Sequence, residues 1–260
     1  CHDEDTKEAL ACRGRLYLAL RRLGLGDQVM IDLSPDIFSQ CINSHVDLSE
    51  VNHLVFTHSH SDHLNTTEIC FRLREMASVI QKKDKKVMEI YGNDAVRDGI
   101  MEIIAKDPHV DLTRMRFHRI QKFEPFRIGH LKFTPLKAYH KLDEEALIFV
   151  IEDGRSTLLY ANDTGALPEE TLDFIEQQNI KFDVVSMDTS RGILDGDTHM
   201  GIRENVELRE KLRRMHAVTP DTEYYLNHYS HMCGMIPQEY ERLVGQEGFL
   251  LTYDGLSVTV

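Results

Sequence analysis

The sequence predicts an α/β fold in a single domain spanning residues 1–260, on three observations. Short apolar runs rich in β-branched and aromatic residues alternate with stretches whose apolar residues recur every three or four positions. No linker, low-complexity run or internal repeat divides the 260 residues, a length that one large α/β domain can fill around a sizeable core. Residue types that ligate metals fall where the apolar runs end.

In chain order, "QVMIDLSP" (28–35) and "VNHLVFTH" (51–58) read as strands. "TTEICFRLREMASVIQ" (66–81) reads as a helix, with Ile69, Leu73, Met76 and Ile80 on one face and Asn65, Thr66 and Thr67 as candidate caps. "KKVMEIYG" (85–92) is a strand and "NDAVRDGIMEIIAK" (93–106) a helix. The basic run "KKDKK" (82–86) reads as a solvated helix end, because no aromatic residue is interleaved. From 115 to 161 the pattern turns to strands, in "MRFHRI", "HLKFTPLKAYH", "ALIFVIED" and "STLLYAND". Helix "PEETLDFIEQQ", strand "FDVVSMD", helix "GIRENVELREKLRRM" and strand "TEYYLNHYS" follow, then a helix near 237–246 and two closing strands.

The chemistry begins in "LVFTHSHSDHLN" (54–65), where His58, His60, Asp62 and His63 follow a buried-strand pattern. In extended chain His58 and His60 face the same way. Neutral imidazole and carboxylate are the ligands that borderline divalent metals take. The alternative is a solvated loop in which Ser61 and Asp62 only cap the next helix. A chance H-x-H-x-D-H is rare enough that the metal reading is the stronger. Three more donors sit after apolar strands in the same way: His140 after "LKFTPLKAY", Asp163 in "NDTG" and His228 in "LNHYSH". Singly each would pass as a core or loop residue; four strand ends built alike make coincidence a poor account.

The net charge of −13 argues against chain-wide attraction to nucleic acid or anionic lipid. A small anionic substrate remains compatible, because bound dications dominate the local field. No apolar stretch approaches the length of a membrane span, and no secretory pattern opens the chain. The five cysteines, Cys1, Cys12, Cys41, Cys70 and Cys233, are odd in number without a C-x-x-C, so the cytoplasm is the expected compartment. Cys12, Cys41 and Cys70 read as small hydrophobes.

Through these motifs the chain resembles the metallo-β-lactamase superfamily, which implies an αββα sandwich with metals at strand ends. Within it the chain most resembles the cyclic-phosphate phosphodiesterases of phosphonate utilisation, and more distantly the tRNA 3′-processing endonucleases. The matching stretches run from about residue 28 to 260 and include "THSHSDHL", "EPFRIGHLKFTPLKAYH", "YANDTGALPEETLDFI", "VSMDTS", "DTHMGI", "LNHYSH" and "TYDGLSV". H-x-H-x-D-H is common to the superfamily and fixes no substrate. "DTGALPEETLDF", "THMG" and "HYSH" are more particular to the phosphodiesterase branch.

The resemblance implies two divalent metal ions, Zn or Mn, with Fe a third candidate. One would take His58, His60, His140 and Asp163; the other would take Asp62, His63, Asp163 and His228, with Asp163 bridging. A hydroxide between them would attack phosphorus. His199, in "GDTHMG", matches the family's catalytic histidine, and Asp62 joins it as a candidate catalytic residue. The alternative for His199 is a loop histidine capping the helix that starts near Gly201. His231 would touch substrate or join a structural zinc site with Cys1, and Cys233 stays open. The chain lacks the strand and Gly-Thr-Gly loop with which the family opens, so a short upstream segment with further cysteines is expected.

The function expected is a phosphodiesterase of small phosphate esters, a ribose cyclic phosphate among them. The alternatives are a tRNA-processing ribonuclease, another hydrolase of the same fold, and a metal-binding protein without turnover. The ribonuclease would need a basic arm, which is missing, so no stable nucleic-acid complex is expected. No membrane partner is expected either, and a homodimer is compatible.

Overall fold

In the computed structural model, residues 18–20, 28–44, 48–74, 87–230 and 233–258 are described. The chain divides into two compact units, Leu16–Gln121 and a second within Lys122–Val260.

The first unit is built on a five-stranded sheet in the order β1-β2-β3-β4-β5. β1 (Leu18–Leu20) pairs antiparallel with β2 (Gln28–Ile31). β2, β3 (Val51–Val55), β4 (Met88–Gly92) and β5 (Met115–Arg119) are parallel. Parallel neighbours require crossovers. α1 (Ile37–Ser44) connects β2 to β3, α2 (Thr66–Leu73) follows β3, and α3 (Asp94–Ile104) connects β4 to β5. Val96, Ile100 and Ile104, one helical turn apart on α3, bury against Met30, Leu54, Phe56 and Ile90. Each fully buried side chain of this kind contributes about 1.5–3 kcal/mol. Asn65 proves to be the cap of α2, accepting from the Glu68 amide at 3.1 Å. α2 is shorter than the 66–81 expected: it ends at Leu73, and Arg74 is extended, bridging to Val110. The chain leaves the helix to make that bridge, and the Arg74 guanidinium pairs with Asp107 at 2.6 Å. Met76 and Ile80 lie outside the described residues.

The second unit holds a seven-stranded sheet in the order β12-β11-β10-β9-β8-β7-β6. β6 (Phe126–Ile128), β7 (Leu131–Lys137), β8 (Leu147–Glu152) and β9 (Thr157–Ala161) form an antiparallel meander. From β9 the order turns parallel through β10 (Phe182–Asp188), β11 (Val218–Asn227) and β12 (Leu250–Leu251). The crossovers are α4 (Glu169–Gln177), α5 (Ile202–Arg214) and α6 (Pro237–Gln246). Ile175, Leu208, Leu212, Tyr240 and Val244 of these helices pack with Ile148, Val150, Leu159, Val185, Met187 and Leu226 of the strands. Of the two closing strands expected, one is found among the described residues. β6 and α1, which the periodicity did not announce, are short.

No helix among the described residues is long and apolar enough to cross a membrane.

Candidate metal centre

In the first unit the H-x-H-x-D-H run leaves β3 and is stitched to the chain that leaves β2. The Asp32 amide donates to the Val55 carbonyl at 2.8 Å, the Leu33 amide to His63 at 2.7 Å, and the Asn65 amide to Leu33 at 2.9 Å. Asp32 is the buried hub of this strand-end loop. One carboxylate oxygen accepts from the Thr57 amide at 2.9 Å, and the other lies 2.8 Å from His63 Nδ1. The carboxylate can only accept, so His63 carries its proton on Nδ1 and keeps its lone pair on Nε2. The Thr57 hydroxyl reaches Asp32 Oδ2 at 2.9 Å and His58 Nδ1 at 2.9 Å. If its single proton goes to the carboxylate, His58 is likewise protonated on Nδ1. His58 Nε2 then lies 2.9 Å from His60 Nδ1, two ring nitrogens converging on one point. The rings of His58 and His63 are 4.4 Å apart. Asp62 occupies the turn between, half-buried.

In the second unit the donors sit just beyond the C-terminal ends of neighbouring strands. His140 follows β7, which ends at Lys137, earlier than the sequence suggested. Its Nδ1 is 3.0 Å from the Thr198 carbonyl, an obligate acceptor, so its lone pair is also on Nε2. Asp163 follows β9, Asp188 ends β10, and His228 follows β11. His199 Nδ1 is 2.7 Å from Asp188 Oδ2 and 3.3 Å from Asp163 Oδ1, and His228 Nδ1 is 3.2 Å from the same Asp163 oxygen. Asp163, Asp188, His199 and His228 offer ligand atoms all within 4.8 Å of one another, a grouping able to hold a cation.

Loop packing holds this arrangement. A Cβ on Gly165 would come 1.8 Å from the Asp197 carbonyl oxygen, so only glycine lets the 163–165 and 197–199 segments pass so closely. The Gly165 amide donates to Tyr139 at 2.8 Å, and the Tyr139 amide to Thr164 Oγ1 at 3.0 Å, tying both segments to the His140 loop. Asp32, Asp163 and His228 have φ of 61°, 49° and 58°, left-handed values that cost a side-chain-bearing residue energy. The Asn227 side chain supports the last, accepting from the His228 amide at 2.8 Å.

His58, His60, Asp62 and His63 follow β3, and His140, Asp163 and His228 follow β7, β9 and β11, whereas His199 lies in the loop between β10 and α5. His199 does not cap α5: Glu204 accepts from the Gly201 amide at 2.9 Å, while the His199 ring is held by Asp188. Cys233 is buried, its thiol within 2.8 Å of the Tyr229 hydroxyl and 2.9 Å of the Met235 carbonyl. Cys70 is buried and Cys41 half-buried. Cys1 and His231, expected as a structural zinc pair, and Cys12 lie outside the described residues. Sequence reasoning missed Asp32 and Asp188. Both end or follow apolar strands, in "VMID" and "VVSMD", and that placement was the available signal.

Residues 27–228 match the family described as Beta-lactamase superfamily domain. A comparison with curated proteins finds no match. Among solved structures, one described as a new diphosphatase from the PhnP family has a TM-score of 0.73 at 20% identity, covering 95% of this chain and 85% of that one. The metallo-β-lactamase fold protein YhfI from Bacillus subtilis has 0.68 at 17% identity, with 92% and 89% covered. Short-form human tRNase Z has 0.66 at 13% identity, with 94% and 92% covered. At these identities the likeness is one of fold, and the α/β class expected from the sequence agrees with it.

Proposed function

This chain belongs to the β-lactamase superfamily, and from that premise we propose that it is a metal-dependent phosphodiesterase of small phosphate esters, a ribose cyclic phosphate among them. The donor chemistry fits divalent cations: His63 and His140 each have Nδ1 bonded to an acceptor, which leaves Nε2 as the donor to a metal. Following the family pattern, His58, His60, His140 and Asp163 would hold one Zn or Mn ion, and Asp62, His63, Asp163 and His228 the other. Bound there, such ions supply a hydroxide near neutral pH and neutralise charge on phosphoryl oxygens.

The observation that carries the reading is the pairing of His199 with Asp188. Asp188 is fully buried and holds His199 through Nδ1, so Nε2 is the nitrogen left to exchange a proton. His199 in its protonated form gives that proton to the departing ester oxygen as its bond to phosphorus breaks. Asp188 keeps the ring in orientation and balances the charge it carries. Asp188 and His199 belong to the same cation-capable grouping as Asp163 and His228. The family pattern gives the metals only the latter two, which leaves the carboxylate–histidine pair to assist a leaving group that departs as an alkoxide. Asp62 is the further candidate catalytic carboxylate, contributed by the histidine-rich run.

Two of the similar structures, the diphosphatase and the tRNase Z, are named for substrates that contain phosphate, which supports the phosphate class. The second of them also favours the ribonuclease alternative, against which the net charge of −13 counts. The test is a screen of the full chain, reconstituted with Zn or Mn. The panel is bis-p-nitrophenyl phosphate, ribose cyclic phosphates, 2′,3′-cyclic nucleotides, a nucleoside diphosphate, a lactam and a pre-tRNA. Turnover of the small phosphodiesters is expected; turnover confined to the lactam or the pre-tRNA would overturn the reading.

A further inference from the structure

Ser190 touches two groups with different proposed tasks. Its backbone amide donates to Asp188 Oδ1 at 2.6 Å. Its hydroxyl donates to the His228 carbonyl at 2.9 Å and lies 2.7 Å from His228 Nδ1. The residue is 1% exposed, and its own carbonyl accepts from Ser230 Oγ at 3.1 Å. A hydroxyl has one proton to give, and a carbonyl can only accept. The Ser190 proton is therefore committed to the His228 carbonyl, and the contact with the ring requires a proton on Nδ1, received by a lone pair of Ser190 Oγ. A proton on Nδ1 also faces the acceptor oxygen Asp163 Oδ1, 3.2 Å away. The lone pair of His228 lies on Nε2.

We infer that Ser190 is a positioning residue that serves both halves of the reaction. Its hydroxyl locks His228 in the tautomer and ring orientation that present Nε2 to a divalent cation. Its amide holds Asp188, and through Asp188 the ring of His199. The hydroxyl bond to the His228 carbonyl also steadies a backbone held at φ 58°. The metal-facing part of this inference rests on the function proposed above; the tautomer assignment does not.

The variant Ser190→Ala in the full chain separates the two arms, because it removes the hydroxyl and keeps the amide. Competition titration with a chelator should show affinity for the more weakly held Zn or Mn ion reduced about 10–100-fold, the usual loss when the outer partner of a histidine ligand is removed. The activity loss should be recovered by raising the metal concentration, since the hold on Asp188 persists. A folded Ser190→Ala protein that binds both ions with wild-type affinity overturns the role. The second measurement needs no metal: 15N NMR of the metal-free wild-type chain should show His228 protonated on Nδ1, and Ser190→Ala a mixture of tautomers. A wild-type His228 protonated on Nε2 overturns the assignment even if Ser190→Ala fails to fold. A wild-type chain that binds no divalent cation, with His228 protonated on Nδ1, would instead strike the proposed function and leave the tautomer lock standing.

Discussion

His199 Nδ1 lies 2.7 Å from Asp188 Oδ2, and the Asp188 side chain is wholly buried. The carboxylate also accepts from the amides of Ser190 and Thr164, so its position is held from three sides. Asp188→Asn keeps the shape and discards the charge. Turnover should fall by about a hundredfold to ten-thousandfold, the range for disabling a positioned general acid. Metal content, measured by elemental analysis, should stay at the wild-type level; a variant with full turnover would remove Asp188 from the chemistry.

His199→Ala tests the leaving-group role. A p-nitrophenolate departs with little help, whereas a ribose alkoxide needs a proton. The rate should therefore drop more for a ribose cyclic phosphate than for bis-p-nitrophenyl phosphate, with up to about ten-thousandfold expected for the sugar. Equal losses on both substrates would assign His199 to phosphate binding instead.

Asp163→Asn addresses the proposed bridge. An amide keeps one acceptor oxygen and loses the charge that two cations would share, so occupancy of both sites should fall together. Two full equivalents of metal and normal turnover in the folded variant would refute bridging.

Gly165→Ala places a methyl group where the Asp197 carbonyl passes, at 1.8 Å by ideal geometry. Backbone must move, and the cost should be at least about 1–3 kcal/mol of stability, the penalty for overpacking. Denaturant unfolding measures it. Turnover should fall as well, because the displaced segments carry Asp163 and His199.

Glu204 predicts an acid-side dependence. Burial pushes its carboxyl up, but the Gly201 and Glu204 amides, Arg203 and the Gly196 amide outweigh that and hold it below the usual carboxylate range. A folded-state value below the unfolded one contributes stability above the unfolded value, lost as pH falls through the folded one. Glu204→Gln should flatten the acid side of the melting-temperature profile, as pH falls below the ordinary glutamate range. An unchanged acid slope would show that the Gly201 bond contributes nothing through its charge.

The sequence by itself determined the class of fold and the candidate ligands. Both are written in local patterns: short apolar strand runs, helical faces such as Val96, Ile100 and Ile104, and donors that follow strands as His58, Asp163 and His228 do. The tertiary structure decided the partners that orient them. Asp32 meets His63 across 31 positions of chain, Asp188 meets His199 across 11, and Ser190 meets His228 across 38. No periodicity relates such residues, because sheet pairing and loop closure bring them together after the chain has left local register. The same holds for the end of α2 at Leu73, where a helical pattern gave way to the bridge between Arg74 and Val110. Propensity acts over a few residues, whereas a buried hydrogen bond is satisfied by whatever folding sets beside it.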